Sequence, residues 1–433
     1  MTAPDSAGLT ASGSPEPVGT QGNEQRPRVL ISHQGCIPVY RKPLFERLSR
    51  IEDIDYVVAY GDPPRGTDYI VAPPPHAFQS LRTQNREMAI GSTALIWQPL
   101  VAKFWGGFDA AVLGDEIKYL SHLAIIAAAR LRRRPVILWG FGYPAGQRES
   151  GNLSRAARLE RGLKSVFRQI ELRLIDGYLV YTQSGADSLI RAGLPPDRIG
   201  TVRNTIDVEE QVRLRGITMT ETNAATREHL GVPTHVPVFL YFGRYLPEKC
   251  VHLLIDYAKR CTARGRRVFV MLSGTGAEHD NLVARAAGAD NVAFRSLFDL
   301  ELARALKIAS AVVIPGFSGL AIPHAFAHHV PFLTREGIVH PPEIDYLIPG
   351  ENGLLLPFEE EAFFDALDRY LDDPQLQQRL RTGAREAASH LSMDAMAASF
   401  DGLVRRLLQD RGRLPRHAPV TPASELKTCG VRS

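Results

Sequence analysis

Val236-Pro237-Val238-Phe239-Leu240-Tyr241-Phe242 runs directly into Gly243-Arg244-Tyr245-Leu246-Pro247-Glu248-Lys249, and a helical pattern opens near Val251. An apolar strand, a tight turn with two cations and a helix start is how a protein holds a phosphate-bearing ligand, because cations and the N–H groups of a helix N-terminus both favour negative charge. Taken alone, the segment reads equally well as a turn of solvated charges. The flanking sequence has to decide.

Downstream, apolar runs at 268–273, 292–294, 311–314 and 331–334 alternate with helical patterns at 251–264, 278–287, 299–309 and 322–328. Upstream, a similar series opens with 29–32, the loop His33-Gln34-Gly35-Cys36-Ile37-Pro38 and a helical segment 40–49. It continues through strand patterns at 55–60, 110–113, 135–139 and 177–181, with helical stretches at 120–132 and 155–174. Such alternation implies a parallel sheet covered on both faces. It occurs twice, so the expected fold is α/β with two Rossmann-like doubly wound domains, residues 29–205 and 206–410. Open sheets of this kind bind ligands at the carboxyl ends of their strands, which places the expected site in the cleft between the domains. Residues 207–227 are polar with a weak pattern. The amphipathic segments 359–372, 374–389 and 392–410 are expected across the second domain, with the last able to reach back to the first.

At 433 residues the chain is too long for one ordinary core, and 44% hydrophobic with 23% charged residues is the composition of a soluble globular protein. The net charge of +4 is small for this length and gives no reason to expect a nucleic-acid partner. Cys36, Cys250, Cys261 and Cys429 have unrelated spacings, so neither a zinc site nor a disulfide framework is indicated, and a reducing cytosol fits. Residues 1–28 are rich in Ser, Gly, Pro, Thr, Glu and Gln without the order of a signal peptide. They read as disordered, as does the 411–433 tail. The apolar run 123–131 is interrupted by Arg130 and is too short to span a bilayer.

Ordered marks in the second half sharpen this outline. They are Asn204, the 243–249 turn, Gly274-Thr275-Gly276, Pro315-Gly316-Phe317-Ser318-Gly319-Leu320, the helix start around His324, Pro331, and Pro342-Glu343 followed by Gly350-Glu351-Asn352-Gly353. From about Tyr181 to Arg385 the chain resembles the retaining GT-B glycosyltransferases of the group-one (family 4) type, which transfer a sugar from a nucleotide diphosphate sugar. The resemblance implies that Arg244 and Lys249 clamp the donor diphosphate, and charge-assisted donors suit phosphate oxygens. It implies donor contacts at Gly243, Gly274, Gly276, Gly316, Gly319, Leu320, His324 and Glu343, with Glu343 equally readable as a structural residue of its turn. The family usually carries two glutamates at the positions held here by Gly316 and His324, and that departure puts the sugar and ribose contacts in question.

The first domain is expected to supply the acceptor side through His33, Gly35, Arg41 and Phe141. Arg41 reads either as a ligand for an acidic acceptor or as a solvated helix-start residue. Phe141 stands where many relatives have a histidine touching the transferred sugar. No metal-binding carboxylate pair stands out, although Asp115-Glu116 keeps that reading open, so neither an obligatory metal nor a cofactor is expected. The basic residues spread over 130–173 read as a solvated helix face or as a contact for anionic lipid head groups. A glycan, lipid-linked or small-molecule acceptor and a cytoplasmic protein, peripheral at the inner membrane face if the acceptor is lipid-linked, complete the expectation.

Overall fold

The computed structural model describes residues 26–65, 70–90, 93–142, 166 and 168–415. In the first domain β1 (Arg28–Ser32), β2 (Asp55–Tyr60) and β3 (Ser80–Arg82) are followed by β4 (Arg86–Ile90) and β5 (Thr93–Trp97). Then come β6 (Ala110–Gly114), β7 (Val136–Gly140), β8 (Gly177–Val180) and β9 (Ile199–Thr201). Seven of these form one parallel sheet in the order β3-β2-β1-β6-β7-β8-β9, while β4 and β5 pair antiparallel as a separate hairpin. The second domain holds β10 (Val238–Phe242), β11 (Phe269–Ser273), β12 (Val292–Arg295), β13 (Ala311–Val313), β14 (Phe332–Arg335) and β15 (Gly353–Leu356). All six pair in parallel, in the order β12-β11-β10-β13-β14-β15.

Both orders reverse once, between β1 and β6 in the first sheet and between β10 and β13 in the second. At such a switch point the crossover helices leave on opposite faces, and the loops after the two central strands part to form a crevice. The loop after β1 carries His33 and Gly35, that after β10 carries Arg244 and Lys249, and that after β13 carries Gly316 and Gly319. The alternation legible in the sequence therefore brings these three loops to the two switch points.

Side chains along the first sheet sort by parity. Val29, Ile31, Val58, Val112, Ile137, Trp139 and Leu179 enter one buried cluster, while Leu30, Val57, Ala111, Leu113, Val136, Leu138 and Val180 enter another. A parallel strand buried on both faces does this because successive side chains point to opposite sides. The first cluster is closed by the helix Met393–Asp410, whose Met393, Met396, Ala397, Phe400, Leu403, Val404, Leu407 and Leu408 follow the helical period and bury against it. Phe400 lies edge-on to Trp139 at 5.3 Å, and Tyr56 donates to Asp401 at 2.8 Å. The last helix of the 206–410 span does reach back: it packs into the first domain's core, where among the described residues the only other helix on that face is the short Lys42–Leu48.

The 411–433 segment is corrected at its start. Leu414 is buried in the same cluster, Arg411 binds Asp176 at 2.6 Å and Arg413 binds Asp109 at 3.4 Å. Residues 416–433 and 1–25 lie outside the described residues. The polar 207–227 stretch contains two helices, Val208–Thr218 and the start of Asn223–Leu230, capped by the side chains of Asp207 and Thr222. Their apolar faces are narrow, so local capping marks them better than periodicity does. No described helix is long and apolar enough to cross a membrane.

Candidate active site

Three loops meet around Gly243–Lys249. Gly243 accepts the sheet's continuation by donating its N–H to Ser273 O at 3.0 Å, and Tyr245 N–H donates to Thr275 O at 2.8 Å. A Cβ on Gly274 would overlap Gly243 O, and one on Gly276 would overlap Tyr245 O. From the other side Phe317 N–H donates to Glu248 O at 2.8 Å, and a Cβ on Gly316 would overlap that same oxygen. A side chain at Gly316, including the glutamate that the resemblance leads one to expect there, would meet the backbone of the turn. Gly316 therefore supports the turn from behind and is buried there.

Lys249 sits inside this junction. Its Nζ donates to Phe317 O at 2.5 Å and lies 5.1 Å from the centre of the Phe317 ring. Burial, and next the charge of Arg244, push its pKa down to about 8. Two cations close enough to repel at the carboxyl edge of a sheet form a site that an anion relieves. Gly319 and Leu320 follow on the β13 side, where Leu320 precedes the seven-residue helix Ala321–Ala327.

His324 does not present its Nε2 to the cleft. That atom is enclosed without a partner among the described residues, the ring stands edge-on to Phe242 at 5.2 Å, and burial pushes its pKa to about 4. Burial thus keeps this imidazole neutral.

Glu343 and Arg41 are drawn together across the domains. Arg41 donates from Nη1 to Asn204 Oδ1 at 2.5 Å and from Nη2 to Tyr181 Oη at 2.9 Å, while Asn204 Nδ2 donates to Glu343 Oε1. The guanidinium lies 4.7 Å from the Trp139 ring and 5.1 Å from that of Tyr181, so this arginine is held by aromatic faces and is not a solvated helix-start residue. Tyr181 Oη, which accepts from Arg41, also lies 3.2 Å from His33 Nε2. Burial and the Arg41 charge hold His33 well below the usual histidine range. Glu343 is raised by burial, and Asn204 partly offsets this. Its carboxylate serves the domain junction together with Tyr346, which donates to Asn204 O at 3.0 Å, and Asp345, which accepts from Ser184 N–H at 3.1 Å.

Asn204→Ala would leave the Arg41 Nη1 and Glu343 without their shared partner. Removing one member of a buried polar relay costs about 2–4 kcal/mol, so chemical denaturation is expected to show a loss of that size. A loss below roughly 0.5 kcal/mol, the scale of an exposed substitution, would show that the relay is loosely solvated.

Phe141 is 56% exposed after β7, with its ring 5.3 Å from Tyr181, so it remains available to the cleft. Gly35 has φ +70° and accepts from Asn85 Nδ2 at 3.0 Å and Gly61 N–H at 2.7 Å. Behind it Ser32 Oγ donates to Gln98 Oε1 at 2.7 Å and lies 3.0 Å from His122 Nε2, and Gln98 Nε2 donates to Asn85 Oδ1 at 2.8 Å. Sequence reading missed these supporting residues, because Asn85 and Gln98 flank a hairpin whose pairing no local pattern announced.

Asp115 is engaged by Arg168 and Tyr178, and Glu116 pairs with Lys118 at 2.5 Å. Among the described residues no group of three His, Cys, Asp or Glu side chains could hold a metal ion. The basic run is largely committed where it is described. Arg130 lies 3.8 Å from Asp176, Arg132 stacks on Trp105 at 4.2 Å, and Arg134 donates to Phe104 O at 2.8 Å. Arg148, Arg155, Arg158, Arg161 and Lys164 lie outside the described residues.

Comparison with known proteins agrees with this geometry. Residues 223–387 match the family model of glycosyl transferases group 1. The chain is 27% identical over 194 residues to an alpha-D-kanosaminyltransferase of Streptomyces kanamyceticus, covering 42% of this chain and 49% of that one. It is also 27% identical over 257 residues to a D-inositol 3-phosphate glycosyltransferase of Streptomyces bingchenggensis (strain BCW-1), covering 55% and 54%. The chain thus spans about half the length of the curated relatives it matches. Among solved structures, Anabaena HepE in complex with UDP superposes with a TM-score of 0.59 at 16% identity, over 90% of this chain and all of that one. Sucrose-phosphate synthase from Thermosynechococcus elongatus reaches 0.63 at 18%, over 89% and 100%. A UDP-GlcNAc 2-epimerase from Neisseria meningitidis reaches 0.54 at 11%, over 88% and 100%, so the two-domain plan is not confined to transferases. The chain is thus similar to the glycosyl transferases group 1 over residues 223–387, and its two doubly wound parallel sheets have the GT-B fold of these solved structures.

Proposed function

We propose that the protein transfers a sugar from a nucleoside diphosphate sugar to a hydroxyl acceptor, with retention at the anomeric carbon. The observation that carries this reading is the Gly243–Lys249 turn, where Arg244 and Lys249 repel each other beside the β13 loop at the second switch point. A diphosphate between them would be neutralised without a metal, and the charge that grows on it as the C1–O bond breaks would meet donors already in place. The acceptor hydroxyl forms its bond to C1 on the same face, and its proton passes to the departing phosphate oxygen. That route asks for no separate protein base, which suits a first domain whose His33 is neutral and bonded to Tyr181. Phe141 offers an apolar wall to the sugar. Acceptors in cell-envelope or exopolysaccharide glycans, lipid-linked ones included, are the first candidates, and small metabolites are the second.

The test is calorimetric titration with UDP and GDP, then nucleotide-sugar turnover with the product's anomeric configuration read by NMR. Inversion of configuration, or epimerisation of the donor without transfer, overturns the reading. Lys249 adds a pH signature. Its free-state pKa of about 8 lies below the ordinary lysine value, and a bound diphosphate favours the charged form. Nucleotide affinity is therefore expected to be level below about pH 7 and to fall above pH 8, approaching tenfold per unit while only the complex stays protonated. Lys249→Arg should remove that decline.

A further inference from the structure

The far end of the helix Ala321–Ala327, away from Gly319 and Leu320, opens into a second cavity of about 600 Å³. Its walls come from the helices Val208–Thr218, Asp299–Ile308 and Pro374–Ser389. Arg215, Lys307, Arg381 and Arg385 line it together with His328 and His329, and no Asp or Glu belongs to its lining. This contrasts with the rest of the domain, where Arg260, Arg266, Arg285 and Arg304 each pair with carboxylates.

Three of the pocket's four cations donate to main-chain carbonyls, and Lys307 also feels the charge of the Glu221 carboxylate behind it. Arg215 donates to Ala327 O at 2.8 Å, Arg381 to Ala309 O at 2.6 Å, and Lys307 to Thr218 O and Glu221 O at 2.8 and 2.5 Å. Arg385 is exposed at the rim. His328 is 6% exposed, and its Nδ1 is enclosed without a partner. Burial and the neighbouring arginines push His329 to about 4, and burial with His324 and Arg215 pushes His328 to about 3. Like charges assembled in a concave space with one buried donor or acceptor unmet store repulsion that an anion would release.

We propose that this pocket binds a small phosphate-bearing anion, at a site separate from the Gly243–Lys249 turn. Its volume suits a ligand between inorganic pyrophosphate and a phosphorylated sugar, since small-molecule pockets span roughly 300–1,000 Å³. The planar guanidinium groups of Arg381 and Arg385, one helical turn apart on Pro374–Ser389, match the geometry of phosphate oxygens.

The experiment uses the full chain carrying Arg244→Ala and Lys249→Ala, so that the turn no longer contributes, with inorganic pyrophosphate as the calorimetric probe. One-site binding is expected to persist there and to weaken at least tenfold on adding Arg385→Glu. Thr382→Glu, which puts a carboxylate on the same rim from an exposed position, should act likewise. Both substitutions are on the surface, and unchanged melting curves will show that the fold is kept. Absence of binding in the turn-deficient background, or binding indifferent to both rim substitutions, overturns the proposal. Vesicles of phosphatidylglycerol form the second arm. Vesicle binding that is lost with Arg385→Glu while pyrophosphate never binds would make this a lipid-facing patch and overturn it as well.

Discussion

Arg244→Ala and Lys249→Ala are each expected to weaken UDP or GDP binding by about 10- to 150-fold. A charge-assisted hydrogen bond to phosphate contributes on the order of 1.5–3 kcal/mol, and each 1.4 kcal/mol is a factor of ten. The double variant should lose less than the product of the two, because both cations act on one diphosphate. Lys249→Ala separates binding from folding. The wild-type ammonium is desolvated and repelled by Arg244, so its removal should leave the unliganded melting temperature level or slightly higher while nucleotide protection disappears. In the wild type a nucleotide at about 100 times its dissociation constant adds roughly 2.7 kcal/mol, a shift that is easily read. Unchanged calorimetric affinity in both single variants would remove the turn from the donor site.

Gly316→Ala is the second large effect. The new Cβ would overlap Glu248 O and lie 2.6–2.8 Å from the Lys249 backbone, so either the 247–249 turn or the β13 loop must move. Overpacking of this kind costs about 1–3 kcal/mol. Movement of the turn also breaks the Phe317 N–H to Glu248 O bond and withdraws Phe317 O from the Lys249 Nζ. Melting should fall by several degrees, and nucleotide affinity should drop together with it. Gly316→Glu, which restores the family's residue, should be worse still. Gly319→Ala is the control, because its Cβ would come no closer than 3.4 Å, to Pro341 Cγ. Equal behaviour of the two alanine variants would contradict the steric account of Gly316.

Local pattern carried much of this molecule. The strands after which the chain turns into the cleft, and the helices between them, announce themselves because short continuous apolar runs and the 3.6-residue repeat are written residue by residue. Glycine and cation placement in 243–249 and 315–320 was legible for the same reason, since a strand end, a tight turn and a helix start are neighbours in sequence. The helices in 207–230 escaped because so little of their surface is apolar, and β15 and the β4–β5 hairpin because their strands are short and take their meaning from partners elsewhere.

What depends on distant pairing was settled only in three dimensions. Arg41 could be read as a solvated cation until Trp139, Tyr181 and Asn204, which lie 98 to 163 positions away in the chain, closed around it. His324 is the expected ribose contact, and only the fold shows its ring edge-on to Phe242 with Nε2 enclosed. The helix Met393–Asp410 is amphipathic on any reading, but its owner is whichever sheet face lacks cover, and that is the first domain's. The sequence by itself determined two doubly wound sheets and a cationic turn at the end of a strand. The tertiary structure decided which of the expected residues face the cleft, because burial and hydrogen-bond partners come from surfaces that the chain brings together only on folding.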